Sequence, residues 1–125
     1  MQVKDVMNQA VVIDHDVDLK QAAQIMSQRN IGCLIVMNKN NILGIISEED
    51  VLKNISSLGK SISKAMSRKI VTISPEESLE DAAAIISRKK VKRLPVVNNG
   101  KLVGIVTATD LVANLEDVGE DFLLD

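Results

Sequence analysis

Gly44-Ile-Ile-Ser-Glu-Glu-Asp50 and Gly104-Ile-Val-Thr-Ala-Thr-Asp110 are one phrase written twice, sixty positions apart. Each runs from a glycine through two branched apolar residues to a hydroxyl residue, with an aspartate three positions further on. Branched apolar residues favour a strand, and Ser or Thr followed at the third position by a carboxylate favours a helix start, so each phrase predicts a strand passing into a helix.

The same spacing carries outward. Leu19, Ala22, Ala23, Ile25, Ser27, Leu34, Val36, Asn38 and Ile45 recur identically as Leu79, Ala82, Ala83, Ile85, Ser87, Leu94, Val96, Asn98 and Ile105. Before Leu19 the spacing shortens by one, pairing Met7 with Met66, so the second copy holds an extra residue in the turn Ser74-Pro75-Glu76-Glu77. Turns tolerate such insertions.

Each copy therefore predicts a short helix (3–7, 61–66), an apolar strand (11–13, 70–73), a longer helix opening at Asp18 or Ser78, a hairpin (33–37 with 42–46, 94–97 with 102–106) and a short last helix near Asp50 or Asp110. Gln21 and Asp81, three residues after Asp18 and Ser78, complete a capping-box pattern, and Asn99-Gly100 is a tight-hairpin signal. The fold class is α/β (α+β): tandem βαββα repeats, expected to pack sheet to sheet with pseudo-two-fold symmetry because one such unit buries little apolar surface alone. The expected boundaries are 1–59 for the first repeat, 60–115 for the second and 116–125 for an acidic C-terminal tail, with 56–60 as linker.

Bulk properties narrow the function. With 125 residues, 46% hydrophobic and 26% charged, the chain suits one cooperative folded unit. A net charge of −2, no Trp or Tyr and a single Phe argue against nucleic acid, whose unpaired bases are usually stacked on aromatic rings. No stretch approaches the length of a membrane span and the first residues lack a signal-peptide pattern, so the expectation is a cytoplasmic protein with no membrane partner. One Cys and one His leave no Cys/His metal set, and no nucleophile with an adjacent base is visible, so neither a metal nor catalysis is expected. His15, in the acidic turn 14–18, reads as a turn residue, and Cys33 as a small buried apolar group.

The aspartate of each phrase can accept hydrogen bonds from both hydroxyls of a ribose cis-diol, and it can equally cap its own helix. The repeat as a whole resembles the CBS-domain family, named for the regulatory region of cystathionine β-synthase. The resemblance covers about residues 3–115 and is carried by Ile31-Gly-Cys-Leu-Ile-Val36, Val71-Thr-Ile-Ser-Pro75, Val91-Lys-Arg-Leu-Pro-Val96 and the two phrases quoted first. It implies a stand-alone pair that binds an adenosine-containing ligand (AMP, ADP, ATP, S-adenosylmethionine or an NAD-type dinucleotide) in two clefts and reports its state to an effector protein. No cofactor is required.

The resemblance also implies where ligands sit. One set is Asp110 on the ribose, Thr107 and Thr109 beside ribose and phosphate, and Ala10, Val11, Gly32 and Cys33 against the adenine. The other is Asp50 and Ser47, with Ile70, Val71, Thr72 and Val91 against the base. Lys92 and Arg93 adjoin at a strand mouth where side chains alternate between faces, so each is expected to serve one set's phosphate, Lys92 this one and Arg93 the other, or else both form a solvated pair. The copies differ in charge here: Lys92 and Arg93 stand where the first copy has Gly32 and Cys33, and Glu48 and Glu49 stand where the second has Ala108 and Thr109. Like charge repels phosphate, so the Asp110 set is the expected better nucleotide site. Ile25 and Ile85 point away from the main apolar faces of their helices, and the resemblance implies homodimers through these helices. The competing expectation is a constitutive interaction or scaffold module in which Asp50 and Asp110 only cap helices.

Overall fold

The computed structural model describes residues 1–119; of the expected acidic tail, 120–125 lie outside the described residues. The chain forms α1 (Val3–Val6), β1 (Val12–Asp14), α2 (Leu19–Arg29), β2 (Cys33–Asn38), β3 (Asn41–Ser47) and α3 (Glu48–Lys53). It continues through α4 (Ile62–Ala65), α5 (Leu79–Lys89), β4 (Arg93–Asn98), β5 (Lys101–Thr107), α6 (Ala108–Val112) and α7 (Leu115–Val118).

Two compact units result, and they are cut differently from the sequence repeats. Val11–Ile70 form one, while Met1–Ala10 join the chain from Val71 onward in the other. The opening helix of each repeat thus belongs to the unit built from the rest of the other repeat. Backbone bonding explains the exchange: Val3 N–H donates to Glu77 O (2.8 Å), and Asn8 and Ile105 exchange two bonds of 2.9 Å. In the other unit Ile62 N–H donates to Val17 O (3.2 Å), and Ser67 and Ile45 exchange two bonds of 2.9 Å. Two glycines make these contacts possible. A side chain on Gly44 would lie 2.7 Å from Ser67 O, and one on Gly104 would lie 2.9 Å from Asn8 O.

Each unit has its own core. In Val11–Ile70, Leu19, Ala22 and Met26 of α2 pack with Ile13, Leu34, Val36, Ile46, Ile62 and Met66. In the other unit, Leu79, Ala82, Ala83 and Ile86 of α5 pack with Val3, Leu94, Val96, Val106, Leu111 and Val118. These helix faces are the ones the apolar spacing predicts. Ile25 and Ile85, which the same spacing turns outward, are instead partly buried against their own cores. Residues 56–60, expected as a linker, are docked as well: Leu58 O and Lys60 O accept from Lys20 N and Leu19 N, both at 2.9 Å.

The sheets are unequal. β1 runs parallel to β2, which pairs antiparallel with β3, whereas β4 and β5 pair alone as named strands. The strand expected over 70–73 reduces to one parallel bridge between Ile73 and Val96. Two prolines are the cause. In the first copy Ile35 N–H donates to Val11 O (3.0 Å) and His15 N–H to Met37 O (3.2 Å), and the prolines at the equivalent places, Pro95 and Pro75, have no N–H to give.

Both long helices start as predicted, with a difference. Asp18 and Gln21 form a reciprocal capping box on α2. Ser78 accepts from Asp81 N on α5, but the Asp81 carboxylate engages Glu77, whose pKa is raised by that hydrogen bond first and by the like charge second. Both helices end on a left-handed residue, Asn30 (φ 55°) and Lys90 (φ 56°). The hairpins turn at Lys39 (φ 56°) in one copy and at Asn99-Gly100 (φ 52° and 77°) in the other, the second matching the turn that its sequence favours.

Candidate functional site

The doubled phrase folds as read, and its aspartates are held in the same way. Asp110 Oδ2 accepts from Thr107 N (2.8 Å) and Thr107 Oγ1 (3.0 Å), and Asp110 N–H donates back to Thr107 Oγ1 (3.3 Å). Asp50 Oδ2 accepts from Ser47 N (2.8 Å) and Ser47 Oγ (2.9 Å), with Asp50 N–H returned to Ser47 Oγ at 3.4 Å. Both carboxylates therefore do cap α6 and α3, a contribution of about 1 kcal/mol each. The helices begin at Glu48 and Ala108, two residues before the aspartates, because the hydroxyl residue is the cap.

Capping consumes only one oxygen of each carboxylate. Asp50 and Asp110 are half-buried, and what their Oδ1 atoms meet distinguishes the units. Asn8 Nδ2 donates to Asp110 Oδ1 at 2.9 Å. The residue in Asn8's place in the other unit is Ser67, whose hydroxyl accepts from Lys69 N (3.3 Å).

Cross-strand register fixes the surroundings. Arg93 is the direct cross-strand partner of Thr107, so both side chains leave the same face of the hairpin. Cys33 is the partner of Ser47. One unit thus pairs an arginine with its capping hydroxyl residue where the other pairs a cysteine. Lys92, just before β4, offers its carbonyl to Ala108 N (2.9 Å).

Each predicted set draws members from both units. Thr107, Thr109, Asp110, Arg93 and Ala10 share one unit, and Val11, Gly32 and Cys33 belong to the other. Ser47, Asp50 and Ile70 share that second unit, while Val71, Thr72, Val91 and Lys92 lie in the first. Ala10/Val11 and Ile70/Val71 are the two points at which the chain passes from unit to unit. Glu48, expected to act on the Asp50 set, comes within 3.4 Å of where a side chain on Gly32 would be, and Glu48 N–H donates to Gly32 O (3.0 Å). Its charge therefore falls also on a residue of the Asp110 set.

Sequence reading missed the asparagines. Asn54 Nδ2 and Asn114 Nδ2 donate to Asp50 O (2.7 Å) and Asp110 O (2.8 Å), and Lys60 Nζ donates to Asn54 Oδ1 (2.9 Å). The first two recur at the repeat spacing and were findable on that ground. Asn8 had no such signal, because its counterpart is a serine.

Two other features lie apart. A groove of about 400 Å³ runs between α2 and α3, lined by Ala23, Met26, Ile31, Val51 and Leu52 among others, and neither Ser47 nor Asp50 lines it. Asp14, His15 and Asp16 bring three ligand-type atoms within 4.8 Å of one another, with His15 Nδ1 2.9 Å from Asp14 and Nε2 3.3 Å from Asp16. These are three successive turn residues whose imidazole already lies between the two carboxylates. No helix among the described residues is long and apolar enough to cross a membrane.

Known proteins share this arrangement. The sequence profile of the CBS domain matches residues 3–57 and again 60–117. The CBS domain-containing protein YhcV of Bacillus subtilis is 32% identical over 117 residues, which span 90% of this chain and 84% of that protein. The uncharacterized protein MJ1232 of Methanocaldococcus jannaschii is 32% identical over 101 residues, 80% of this chain but only 34% of its own length. Among solved structures, the CBS domain pair of protein MJ0100 in complex with 5′-methylthioadenosine and S-adenosyl-L-methionine superposes with a TM-score of 0.84, at 26% identity, over 92% of this chain and 99% of that one.

Proposed function

This chain belongs to the CBS-domain family, and from that premise we propose that it is a regulatory module, not an enzyme, which binds an adenosine-containing ligand and passes its state to a partner protein. One observation carries the reading: Thr107 pre-orients the half-buried Asp110 carboxylate, and Arg93 is the cross-strand partner of Thr107. A ribose diol needs the carboxylate, and a phosphate needs the cation. The adenosine ligands of the MJ0100 pair support the same ligand class here. AMP, ADP, ATP, S-adenosylmethionine and NAD-type dinucleotides all carry the required nucleoside.

In the proposed assignment Asp110, with Thr107, Thr109 and Arg93, serves one ligand together with Ala10, Val11, Gly32 and Cys33. Asp50 and Ser47 serve a second with Ile70, Val71, Thr72, Val91 and Lys92. The adenine-contacting residues include the pairs at which the chain passes between units, so a bound base would bear on both passages. Ligand can alter the partner-facing surface only to the extent that it favours one arrangement over another. A cytoplasmic location and a homodimer complete the proposal.

A second reading has its own observation. Both aspartates are fully formed helix caps, which is all a scaffold module would ask of them. Thermal unfolding followed by far-UV circular dichroism, with AMP, ADP, ATP, S-adenosylmethionine and NADH in turn, separates the two. A ligand at about a hundred times its Kd stabilises by about 2.7 kcal/mol. A raised midpoint with any of them supports sensing, and no rise with any supports the scaffold.

A further inference from the structure

We infer that Asn8 is a specificity-determining gate of the Asp110 site: its amide occupies the carboxylate oxygen that a ribose cis-diol has to reach, so a ribose ligand must displace it. This deepens the proposed function and rests on Asp110 being the ribose acceptor.

A carboxylate offers about four lone-pair positions. Asp110 has committed two on Oδ2, to Thr107 N and Thr107 Oγ1, and one on Oδ1, to Asn8 Nδ2. One position is left where a diol brings two donors. Among the described residues Asp50 has committed its Oδ2 pair alone, to Ser47 N and Ser47 Oγ, and Ser67 in place of Asn8 supplies no amide.

Orientation is not the amide's task. Thr107 holds Asp110 through Oδ2 as Ser47 holds Asp50, and the Asp50 carboxylate keeps the same cap geometry with no amide in Asn8's place. The amide is nonetheless firmly aimed. Asn8 is locked to Ile105 by two backbone bonds of 2.9 Å, over Gly104, where a side chain would come within 2.9 Å of Asn8 O. Its side chain is exposed, so it can turn away into water when a ligand arrives. Displacement then trades one exposed hydrogen bond for one to the ligand, a penalty that a ligand with a single hydroxyl at this place avoids.

The test uses the full chain carrying Asp50→Ala, so that one carboxylate site reports, with AMP and 2′-deoxy-AMP titrated by calorimetry. Asn8→Ser, which copies the other unit, should tighten AMP about fivefold and leave 2′-deoxy-AMP unchanged, a ratio equivalent to about one net hydrogen bond. Asn8→Ala serves if the serine variant does not fold. Unchanged or weaker AMP binding, or equal tightening of both nucleotides, overturns the gate. Adding Asp110→Ala distinguishes the underlying reading: if it weakens AMP while Asn8→Ser has no effect, only the gate fails. If Asp110→Ala leaves AMP binding intact, or AMP does not bind at all, the ribose assignment fails and takes the gate with it.

Discussion

In the unit formed by Val11–Ile70, Ile35 gives its N–H to Val11 O; in the other unit the same place is held by Pro95, which has none to give. The first unit has a third strand and the second has a single bridge at Ile73. The same division runs through the candidate site. Asn8 bonds Asp110 and Arg93 pairs with Thr107, whereas Ser67 and Cys33 hold the equivalent places in the other unit. On the proposed assignment, charge favours phosphate at the Asp110 set and open acceptor positions favour a bare ribose at Asp50. The comparison teaches that a repeat can keep its backbone plan and divide its chemistry through a few substitutions at equivalent positions.

The largest expected effect tests the sheet. Ile35→Pro should remove the bond to Val11 O and a buried side chain together, lowering stability by about 3 kcal/mol in a denaturant melt. Pro95→Ile, the reverse exchange, should cost far less; equal losses would show that residue 95 does not set the strand count. Next, Gly104→Ala should cost about 1–3 kcal/mol by pressing on Met7 and Asn8, and Gly44→Ala a similar amount against Met66 and Ser67. A neutral outcome at either would mean that the opening helix is not held there.

Smaller effects sharpen the site and the helices. Arg93→Ala should weaken ATP up to about fivefold, the scale of an exposed charge pair, with little change for adenosine. Equal loss of both would detach Arg93 from phosphate. Lys90→Gly should stabilise by about 0.5–1 kcal/mol, since Lys90 holds the left-handed conformation that Asn30 adopts more readily in α2, and Asn30→Gly should gain less.

The smallest concerns Glu77, whose place in the first copy is taken by Val17. Its raised folded pKa means that the native state binds this proton more readily than the unfolded chain does. That contribution is present below the ordinary value of 4.5 and is lost as pH rises through the raised one. Glu77→Gln should therefore raise the melting midpoint at neutral pH and lose its advantage in acid, in melts run across that window. A constant difference at every pH would assign the effect to something other than the Asp81 contact.

Much of this was legible before any coordinates. The apolar spacing of α2 and α5, the caps Asp18, Ser47, Ser78 and Thr107, and the Asn99-Gly100 turn are local signals, since each depends on residues within four positions. The shortening of the strand expected over 70–73 was half legible: Pro75 lies two residues on and cannot give the bond that His15 gives to Met37 O, but nothing in Ile70-Val-Thr-Ile73 announces that Pro95 will face it. Ile25 and Ile85 were read as turned outward because helical angle says nothing about what a neighbouring element covers.

The sequence by itself determined the repeat, the family and the two capped aspartates, because helix starts, hairpin turns and apolar periods are written in contiguous residues. Only the tertiary structure decided that the opening helix of each repeat docks in the other repeat's unit, and hence that Asn8 meets Asp110. That contact joins residues 102 positions apart. It exists because Gly104 admits the backbone of residue 8 to β5, a close approach that no local pattern encodes.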